Sequence, residues 1–273
     1  MHFIKRSECP ELLSFNKEAW TLPWLNHYLW SRDVGPVCDE RPKKPTDNNW
    51  LKDEIRLTII KDFKNNCGYC GDSLPTPQED EGQVDDREVG DKASKGDVDH
   101  FLAKAVYPEK VYEWLNYIWS CKPCNQVKRE FDSVDYPLLN PCNEGDCSVL
   151  EFTEYSGRYV LVNDVANDKT WKKRMNHSQK NTLINSSEVS KKRRLRVSNL
   201  RQRFESIEAH LNNIEQLCNI PNCDAVIRSM EDKVGSQLIE IKLILESPDF
   251  YFLIKGLYRE LIVKYPKVVV LLN

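Results

Sequence analysis

Two Cys-x-x-Cys pairs lie on either side of an Asp-His dipeptide in the middle of the chain. The pairs are Cys67/Cys70 and Cys121/Cys124, and the dipeptide is Asp99-His100. Four thiolates from two such pairs close a tetrahedral zinc site with no open ligand position, so the predicted zinc is structural. The alternative is four unligated buried cysteines, which the turn-forming residues around both pairs disfavour.

An imidazole and several oxygen donors lie near these cysteines in the chain. His100 is a candidate general base, and Asp99 and Asn125 carry hard oxygen atoms of the kind that Mg²⁺ or Mn²⁺ accepts. Hydrolysis of a phosphodiester needs a base that activates water and a divalent cation that neutralises charge at the phosphate. Because a lone histidine is more often structural, the prediction depends on the zinc staple bringing these side chains together.

The geometry of a strand places one condition on this site. In a regular strand, Asp97 and Asp99 share one face and His100 lies on the other. Either the strand ends or bulges at His100, or Asp97 has a larger part in the site.

The segments around the site predict short elements. Residues 97–102 predict a strand, and residues 111–118 predict an amphipathic turn or two. Asn125 stands where a helix N-cap is expected. Before the first cysteine pair, apolar residues at helical spacing predict a helix over 49–63 that leads the chain to Cys67.

The second half of the chain predicts a hairpin followed by helices. Residues 148–162 are rich in strand-forming residues on both sides of Ser156-Gly157, a pattern typical of a β-hairpin. From about residue 180, leucine and isoleucine recur at a spacing of three and four, which predicts helices that end near Pro221 and Pro248. A last helix is expected from Pro248 to about Lys264.

Together these patterns predict an α+β protein that is mainly helical, with N-terminal helices and a C-terminal helical bundle. The predicted segments are an N-terminal helical segment (1–63), a core with the zinc cysteines and an acidic insertion at 75–96 (64–141), a β-hairpin and connector (142–179), and a C-terminal helical region expected to dock a partner (180–273).

Composition bounds the class of protein. The chain has 273 residues, of which 40% are hydrophobic and 30% charged, and its net charge of -3 does not by itself indicate a nucleic-acid partner. No apolar run approaches the roughly 18 residues of a membrane helix, and the first residues lack the apolar region of a signal peptide. We therefore expect a cytoplasmic protein, in which paired cysteines favour metal binding over disulfides.

The central stretch resembles the HNH, or ββα-metal, endonuclease family in the variant with a four-cysteine zinc. The resemblance is carried by Asp97-Val-Asp-His100, by Asn116 and by Cys121-x-x-Cys124-Asn125-x-x-Lys128. It implies a ββα-metal HNH core held by structural zinc. It also implies in-line attack of water on the scissile phosphate of DNA, leaving 5′-phosphate and 3′-hydroxyl ends.

The resemblance implies a role for each matching residue. His100 would be the general base, Asp99 and Asn125 would bind the catalytic Mg²⁺ or Mn²⁺, and Asn116 would orient the loop and the base.

Two positions depart from the family pattern. Ala103 stands where the family usually has proline, and Arg129 stands where glycine is expected. Both lie beside the site, and neither removes a predicted ligand.

A longer pattern extends the resemblance to a defence system. Residues 101–108, 112–116 and 137–141 are similar to the PtuB-like nuclease subunits of Septu-type anti-phage defence, which also occur in some retron systems. This implies an ATPase partner subunit (PtuA-like) in a hetero-oligomeric complex and, in a retron, a reverse transcriptase with its msDNA. The chain itself has no Walker-type glycine loop.

Basic residues near the site are candidates for binding the phosphates of a nucleic acid. Lys122, Lys128 and Arg129 lie next to the predicted ligands. The denser basic run at 191–203 fits phosphate contact and a solvated helix face equally well. A second zinc site is the less favoured interpretation of two further cysteine pairs, Cys142/Cys147 and Cys218/Cys223.

Two alternatives to an enzyme stay open. One is a zinc-scaffolded nucleic-acid-binding module, which would bind DNA without Mg²⁺. The other is an interaction subunit whose Asp-His pair is inactive and which copurifies with its partner.

Overall fold

The structure, a computed structural model, describes residues 1–30, 40–74 and 96–272. The acidic insertion predicted at 75–96 therefore lies, apart from Gly96, outside the described residues. The chain forms two compact units: unit 1 comprises Met1–Phe152 and Tyr159–Ser186, and unit 2 comprises Thr153–Arg158 and Ser187–Asn273. The finer segment boundaries drawn from the sequence stay predictions.

Short elements dominate unit 1 and long helices dominate unit 2. The helices of unit 1 are α1 (Glu11–Leu29), α2 (Asp53–Phe63), α3 (Lys122–Lys128), α4 (Glu144–Ser148) and α5 (Lys169–Asn181). The helices of unit 2 are α6 (Ser187–Leu217), α7 (Asp224–Glu246), α8 (Tyr251–Lys264) and α9 (Pro266–Leu272). The strands are β1 (Asp97–His100), β2 (Tyr117–Ser120), β3 (Leu150–Thr153) and β4 (Arg158–Leu161). Short 3₁₀ helices lie at Asn49–Leu51, Pro108–Lys110 and Trp114–Asn116.

Helix α2 delivers the chain to the first cysteine pair, as its apolar spacing predicted. Ile55, Ile59 and Phe63 recur every fourth residue, so they share one face of the helix, and all three are completely buried. The helix ends at Lys64, whose φ of 51° is left-handed. The predicted helix over 49–63 is thus confirmed from Asp53 onward, and its first residues form a 3₁₀ turn instead.

Strands β1 and β2 form an antiparallel pair that carries the predicted base. In this pair Val98 lies opposite Trp119, and His100 lies opposite Tyr117. The predicted strand at 97–102 is therefore confirmed up to His100. The helical prediction for 111–118 is wrong at its end, because Tyr117 and Ile118 belong to β2, where both side chains are completely buried. A strand that is buried on both faces lacks the alternation that would have identified it.

Helix α3 follows β2 directly and begins earlier than the sequence indicated. The prediction that Asn125 is its N-cap is wrong. The N-cap is Cys121, whose Sγ accepts a hydrogen bond from the Cys124 amide, and Pro123 occupies the first turn. A cysteine sulfur thus takes the place of the usual Ser, Asp or Asn oxygen, and Asn125 lies inside the helix.

The hairpin and the C-terminal helices predicted from the sequence are confirmed. Strands β3 and β4 pair with each other, with Gly157 in the turn at a φ of 69°. In unit 2, α6 packs against α7, α8 and α9. The Phe204 ring of α6 is completely buried and lies about 6 Å from the rings of Tyr258 and Tyr265. Helix α9 was not predicted.

The predicted class is confirmed at the level of secondary structure. The protein is mainly helical and has two small antiparallel sheets within the residues that the structure describes. In the same residues, no helix is both long and apolar enough to cross a membrane.

Candidate metal centre and active site

The four cysteines predicted to bind zinc come together in unit 1. The sulfur atoms of Cys67, Cys70, Cys121 and Cys124 all lie within 4.8 Å of one another. A tetrahedral zinc with Zn–S bonds of about 2.3 Å separates its sulfurs by about 3.8 Å, and Cys70 and Cys121 already lie 3.9 Å apart. None of the four forms a disulfide. The donor set and its spacing therefore fit one structural zinc ion.

Backbone hydrogen bonds shape the first cysteine pair. The Cys67 amide donates to the Asp72 carbonyl at 2.8 Å, and the Gly71 amide returns to the Cys67 carbonyl at 2.7 Å. The Gly68 amide donates to the Trp119 carbonyl at 2.8 Å and so ties the turn to β2. A Cβ at Gly68 would lie 2.6 Å from the Phe63 ring, so only glycine allows this approach.

The sulfur atoms lie within hydrogen-bond distance of one another and also accept amide hydrogen bonds. Burial opposes ionisation of Cys67, but hydrogen bonds from its three partner cysteines lower its pKa well below the usual value. The hydrogen bond with Cys121 instead raises the pKa of Cys70. The Leu183 amide, just beyond α5, donates to the Cys124 sulfur at 3.4 Å. Such hydrogen bonds to ligand sulfurs stabilise thiolates and are common around metal sites.

Within the described residues, these four cysteines form the only group of three or more His, Cys, Asp or Glu side chains that could hold a metal ion. Neither Cys142/Cys147 nor Cys218/Cys223 contributes to such a group there. The less favoured interpretation of a second zinc site from these pairs therefore gains no support from the described part of the chain.

Asp99 is held from two sides by elements that the cysteines organise. The hydroxyl of Tyr69, which lies between Cys67 and Cys70, donates to Asp99 at 2.6 Å. From α3, the Lys128 ammonium lies 3.2 Å from one carboxylate oxygen and 3.1 Å from the other. Burial raises the pKa of Asp99, and the Lys128 charge and the Tyr69 hydroxyl oppose that rise. The cysteine cluster thus determines where this carboxylate lies.

Asn125 contacts the other carboxylate on the same face of β1. Its amide nitrogen lies 3.4 Å from an oxygen of Asp97. Strand β1 pairs regularly with β2 and ends at His100, which is the first of the two cases allowed by the sequence, and Asp97 and Asp99 share one face of the strand. The structure therefore places three oxygen-bearing side chains on the side of β1 that faces α3, with Asp97 as the direct partner of Asn125.

His100 lies on the opposite face of β1, in an aromatic pocket. Its Nε2 lies 2.9 Å from the Val111 carbonyl oxygen. Because a carbonyl oxygen only accepts, Nε2 carries the hydrogen and Nδ1 is the nitrogen that can take up a proton. The edges of Trp50 and Tyr117 pack against the ring, with centroid distances of 4.7 and 5.3 Å. Burial and the nearby Lys104 charge lower the pKa of His100 to about 3, so the imidazole is neutral at physiological pH.

Asn116 fixes the loop that follows β1. Its side-chain oxygen accepts a hydrogen bond from the Leu102 amide at 2.7 Å, and its nitrogen donates to the carbonyls of Leu102 and Lys110 at 3.1 and 2.9 Å. The amide oxygen and the amide nitrogen of Asn116 thus both bond to backbone groups of the loop, through one accepted and two donated hydrogen bonds. The side chain is buried, so it orients this loop from inside.

The basic residues predicted to bind phosphates have different environments. Lys122 and Arg129 are exposed on α3 and at its end. Lys128 is buried and is not a surface cation. Besides Asp99 it donates to the backbone carbonyl of His100 at 2.7 Å, so it links these two residues of β1. Arg129 has a φ of 49°, so the backbone adopts there the conformation that the family's glycine would favour.

Much of the basic run at 191–203 is used inside unit 2. Arg193 is completely buried and donates to the Gly157 carbonyl at 3.0 Å. Arg201 pairs with Glu154, and Arg203 pairs with Glu240. These contacts favour a stabilising role for the run over phosphate binding.

Sequence patterns did not reveal several residues that contact the predicted site. In the sequence, Tyr69 has no signal beyond its place between two cysteines, and Trp50 has none beyond its apolar character. Their partners, Asp99 and His100, lie far away along the chain, and no local pattern reports such pairs. The one available signal is that Tyr69 lies between Cys67 and Cys70. A metal bound by these cysteines would fix the backbone of the turn and therefore the position of the Tyr69 side chain.

Part of the chain is similar to the Septu protein PtuB of Bacillus thuringiensis, with 34% identity over 107 residues. The matched stretch covers 39% of this chain and 35% of that protein, so it spans only about a third of the relative. No family model matches the sequence, and no solved structure matches it.

Proposed function

We propose that this chain is a metal-dependent endonuclease of the HNH type that hydrolyses phosphodiester bonds in DNA, and that it is the nuclease effector of a Septu-type anti-phage defence complex. The observation that carries the proposal is a strand that places the His100 imidazole on one face, with Nε2 bound to the Val111 carbonyl, and on the other face places Asp99 and the Asp97 carboxylate that contacts Asn125. The similarity to PtuB supports the assignment to defence. In this proposal β1, β2 and α3 are the ββα-metal unit.

His100 acts as the general base. The Val111 carbonyl orients its ring and leaves Nδ1 to accept a proton from the attacking water. Burial keeps the ring neutral, and the negative charge of a bound phosphate would stabilise the imidazolium that forms.

Asp99 and Asn125 would hold a divalent cation, Mg²⁺ or Mn²⁺, with Asp97 beside them. When bound, this ion supplies positive charge at the phosphate and the leaving oxygen. Lys128 must then share Asp99 with the ion, as its present contacts occupy both carboxylate oxygens. Asn116 keeps the loop after His100 in place.

The zinc ion proposed for the four cysteines has a positional role. It fixes Tyr69 in the first pair and the start of α3 in the second, and both elements contact Asp99. A four-thiolate site is closed, so this ion takes no part in catalysis.

The proposed substrate contacts and partners follow from charge and similarity. Lys122 and Arg129, both exposed, would bind DNA phosphates without reading sequence. An ATPase subunit of the PtuA type is the proposed protein partner, docked by the C-terminal helices. The reverse transcriptase and msDNA of a retron stay predictions from the family resemblance.

A plasmid-nicking assay tests the activity. The full chain should nick supercoiled DNA with Mg²⁺ or Mn²⁺, lose activity in EDTA, and regain it on adding back Mg²⁺ together with zinc. His100→Ala should abolish nicking while the zinc content stays unchanged. His177→Ala is the matched control, because the His177 ring also bonds a backbone carbonyl and packs against the Phe131 ring, yet lies outside the proposed site. Nicking by His100→Ala at the wild-type rate would exclude His100 as the base.

One observation favours a second function, a zinc-scaffolded nucleic-acid-binding or interaction subunit without catalysis. His100 is only 5% exposed and is covered by Trp50. Such a subunit would bind DNA equally well without Mg²⁺ once EDTA is removed and zinc is restored, or would copurify with an ATPase. It would show no nicking with or without that partner.

A further inference from the structure

Lys104 lies on the loop that follows β1, the strand that ends at His100, and its environment is unusual for a lysine. Its ammonium sits over the ring of Trp50 at 4.4 Å and near the ring of Trp24 at 5.3 Å. Trp50 also packs against His100, whose ring centroid lies 4.7 Å from that of the indole. The base and this cation therefore contact the same indole.

Within the part of the chain that the structure describes, the charge of Lys104 is not neutralised by an acidic partner. Among residues 1–30, 40–74 and 96–272, no carboxylate forms an ion pair with it. The acidic charges that act on it are those of Asp99, which already binds Lys128, and of the exposed Glu130. Lys44 adds a second positive charge nearby. The side chain is also half-buried, so water screens its charge only in part.

The aromatic contacts explain how such a cation is kept in place. An indole ring attracts an ammonium group through its quadrupole but carries no net charge. A carboxylate would hold Lys104 equally well and would cancel its field, whereas Trp24 and Trp50 hold it and leave the field intact. The loop beneath it is fixed as well, because Asn116 binds the backbone of Leu102.

A fixed, partly desolvated cation beside a general base is suited to bind the anion on which that base acts. We propose that Lys104 is a catalytic residue that contacts a non-bridging oxygen of the scissile phosphodiester and stabilises the charge that develops there as water attacks. The proposal rests on the function proposed above and adds to it a phosphate-binding residue from the loop 101–107. No bond to Lys104 forms or breaks in this role, and its proton stays on the ammonium.

The test compares three variants of the full chain. Lys104→Met keeps the apolar stem over the tryptophans and removes the charge, and Lys104→Arg keeps both the charge and the cation–π contacts. Lys52→Met is the matched control, because Lys52 also lies over a tryptophan, Trp20 at 5.9 Å, but is exposed. Thermal unfolding of each variant checks the fold, and Lys104→Gln replaces Lys104→Met if that variant does not fold.

Cleavage of a duplex oligonucleotide with Mg²⁺ is the first readout. Removal of one such stabilising donor lowers rates by about 10²- to 10³-fold, so we expect a loss of this size in kcat for Lys104→Met. Lys104→Arg should recover most of the activity, and Lys52→Met should stay within about twofold of wild type, since it removes only an exposed charge. Wild-type kcat for Lys104→Met would overturn the proposal and leave the nuclease assignment intact.

Binding of the same duplex gives a second readout that needs no cleavage. In a His100→Ala background, the affinity is measured by fluorescence anisotropy at several salt concentrations. Loss of one phosphate contact lowers the slope of log K against log salt by about 0.9. We expect that change for Lys104→Met and no change for Lys52→Met. An unchanged slope for Lys104→Met would overturn the proposal even if the wild-type chain cleaves no DNA, an outcome that would count separately against the nuclease function.

Discussion

The two units of this protein are stabilised in different ways. Among the described residues, all buried polar and charged side chains lie in unit 1 except Ser190 and Arg193. The strands and the helix at the candidate site are short: β1 and β2 have four residues each and α3 has seven. Unit 2 consists mainly of long helices, with 31 residues in α6 and 23 in α7.

The difference has a physical reason. Long amphipathic helices bury a continuous apolar stripe, and the loss of one polar contact changes their stability little. Four-residue strands bury too little apolar surface to hold a fixed geometry, so unit 1 depends on a cysteine cluster and on directed polar contacts. A site that must hold side chains in place for chemistry needs such contacts. Unit 1 should therefore be sensitive to single polar changes, and unit 2 should not.

Loss of the cysteine cluster should have the largest effect. Structural zinc couples a binding free energy on the order of 10 kcal/mol to folding, so Cys124→Ser should abolish zinc binding and unfold β2 and α3. Hydrogen exchange by mass spectrometry should show lost protection at 117–128 and unchanged protection in α6 and α7. Cys147→Ser is the control, since Cys147 is also buried in unit 1 but lies outside the cluster. Equal protection of residues 117–128 from exchange in both variants would mean that the cysteine cluster does not stabilise β2 and α3.

Breaking the ion pair at the site should have the next largest effect. Lys128→Met leaves the Asp99 carboxylate buried without its cation, which costs about 3–5 kcal/mol. Lys267→Met in unit 2 removes an ion pair with Glu215 whose side chains are 44% and 64% exposed, and should cost less than about 1 kcal/mol. Denaturant unfolding measures both values. Similar costs for the two variants would contradict the contrast between the units.

The pairing tested by this variant shows where sequence patterns reach their limit. Spacing alone predicted the two cysteine pairs, helix α2 and the long helices of unit 2, because each depends on residues close together in sequence; the joining of the two pairs followed from the four ligands that zinc needs. Patterns could not show that Lys128 binds Asp99, since that contact joins side chains 29 positions apart. They also placed Asn125 at the helix start, because the cap is a cysteine sulfur, which has no place among the common capping residues.

Acid should weaken unit 1 through His100. The histidine has a pKa near 6.5 in an unfolded chain and about 3 in the fold. Between these values the unfolded state binds more protons, so stability falls as pH falls below about 6.5, by up to about 1.4 kcal/mol per pH unit, and does not change above it. Urea unfolding between pH 8 and 5 gives the free energy of unfolding of wild type and of His100→Gln. The contributions of Asp99 and the cysteines to its pH dependence are largely the same in both proteins, so they cancel in the difference. A difference that is independent of pH would mean that the folded histidine is not held neutral.

The smallest effect is expected at Arg129, whose φ of 49° and ψ of -128° are unfavourable for any residue but glycine. Arg129→Gly should relieve this strain, while the greater freedom of glycine in the unfolded chain cancels part of the gain. We expect a net stabilisation of about 1 kcal/mol. Arg129→Ala removes the same charge and keeps the strain, so it should not stabilise. Thermal unfolding distinguishes the two, and equal melting temperatures would show that the backbone there is not strained.

The most direct test of the central claim is anomalous scattering from crystals of the full chain soaked in Mn²⁺. At the zinc edge we expect a peak among the sulfurs of Cys67, Cys70, Cys121 and Cys124, and at the manganese edge a separate peak in contact with Asp99 and Asn125. A cysteine cluster without metal, or manganese bound away from both of these side chains, would contradict the account.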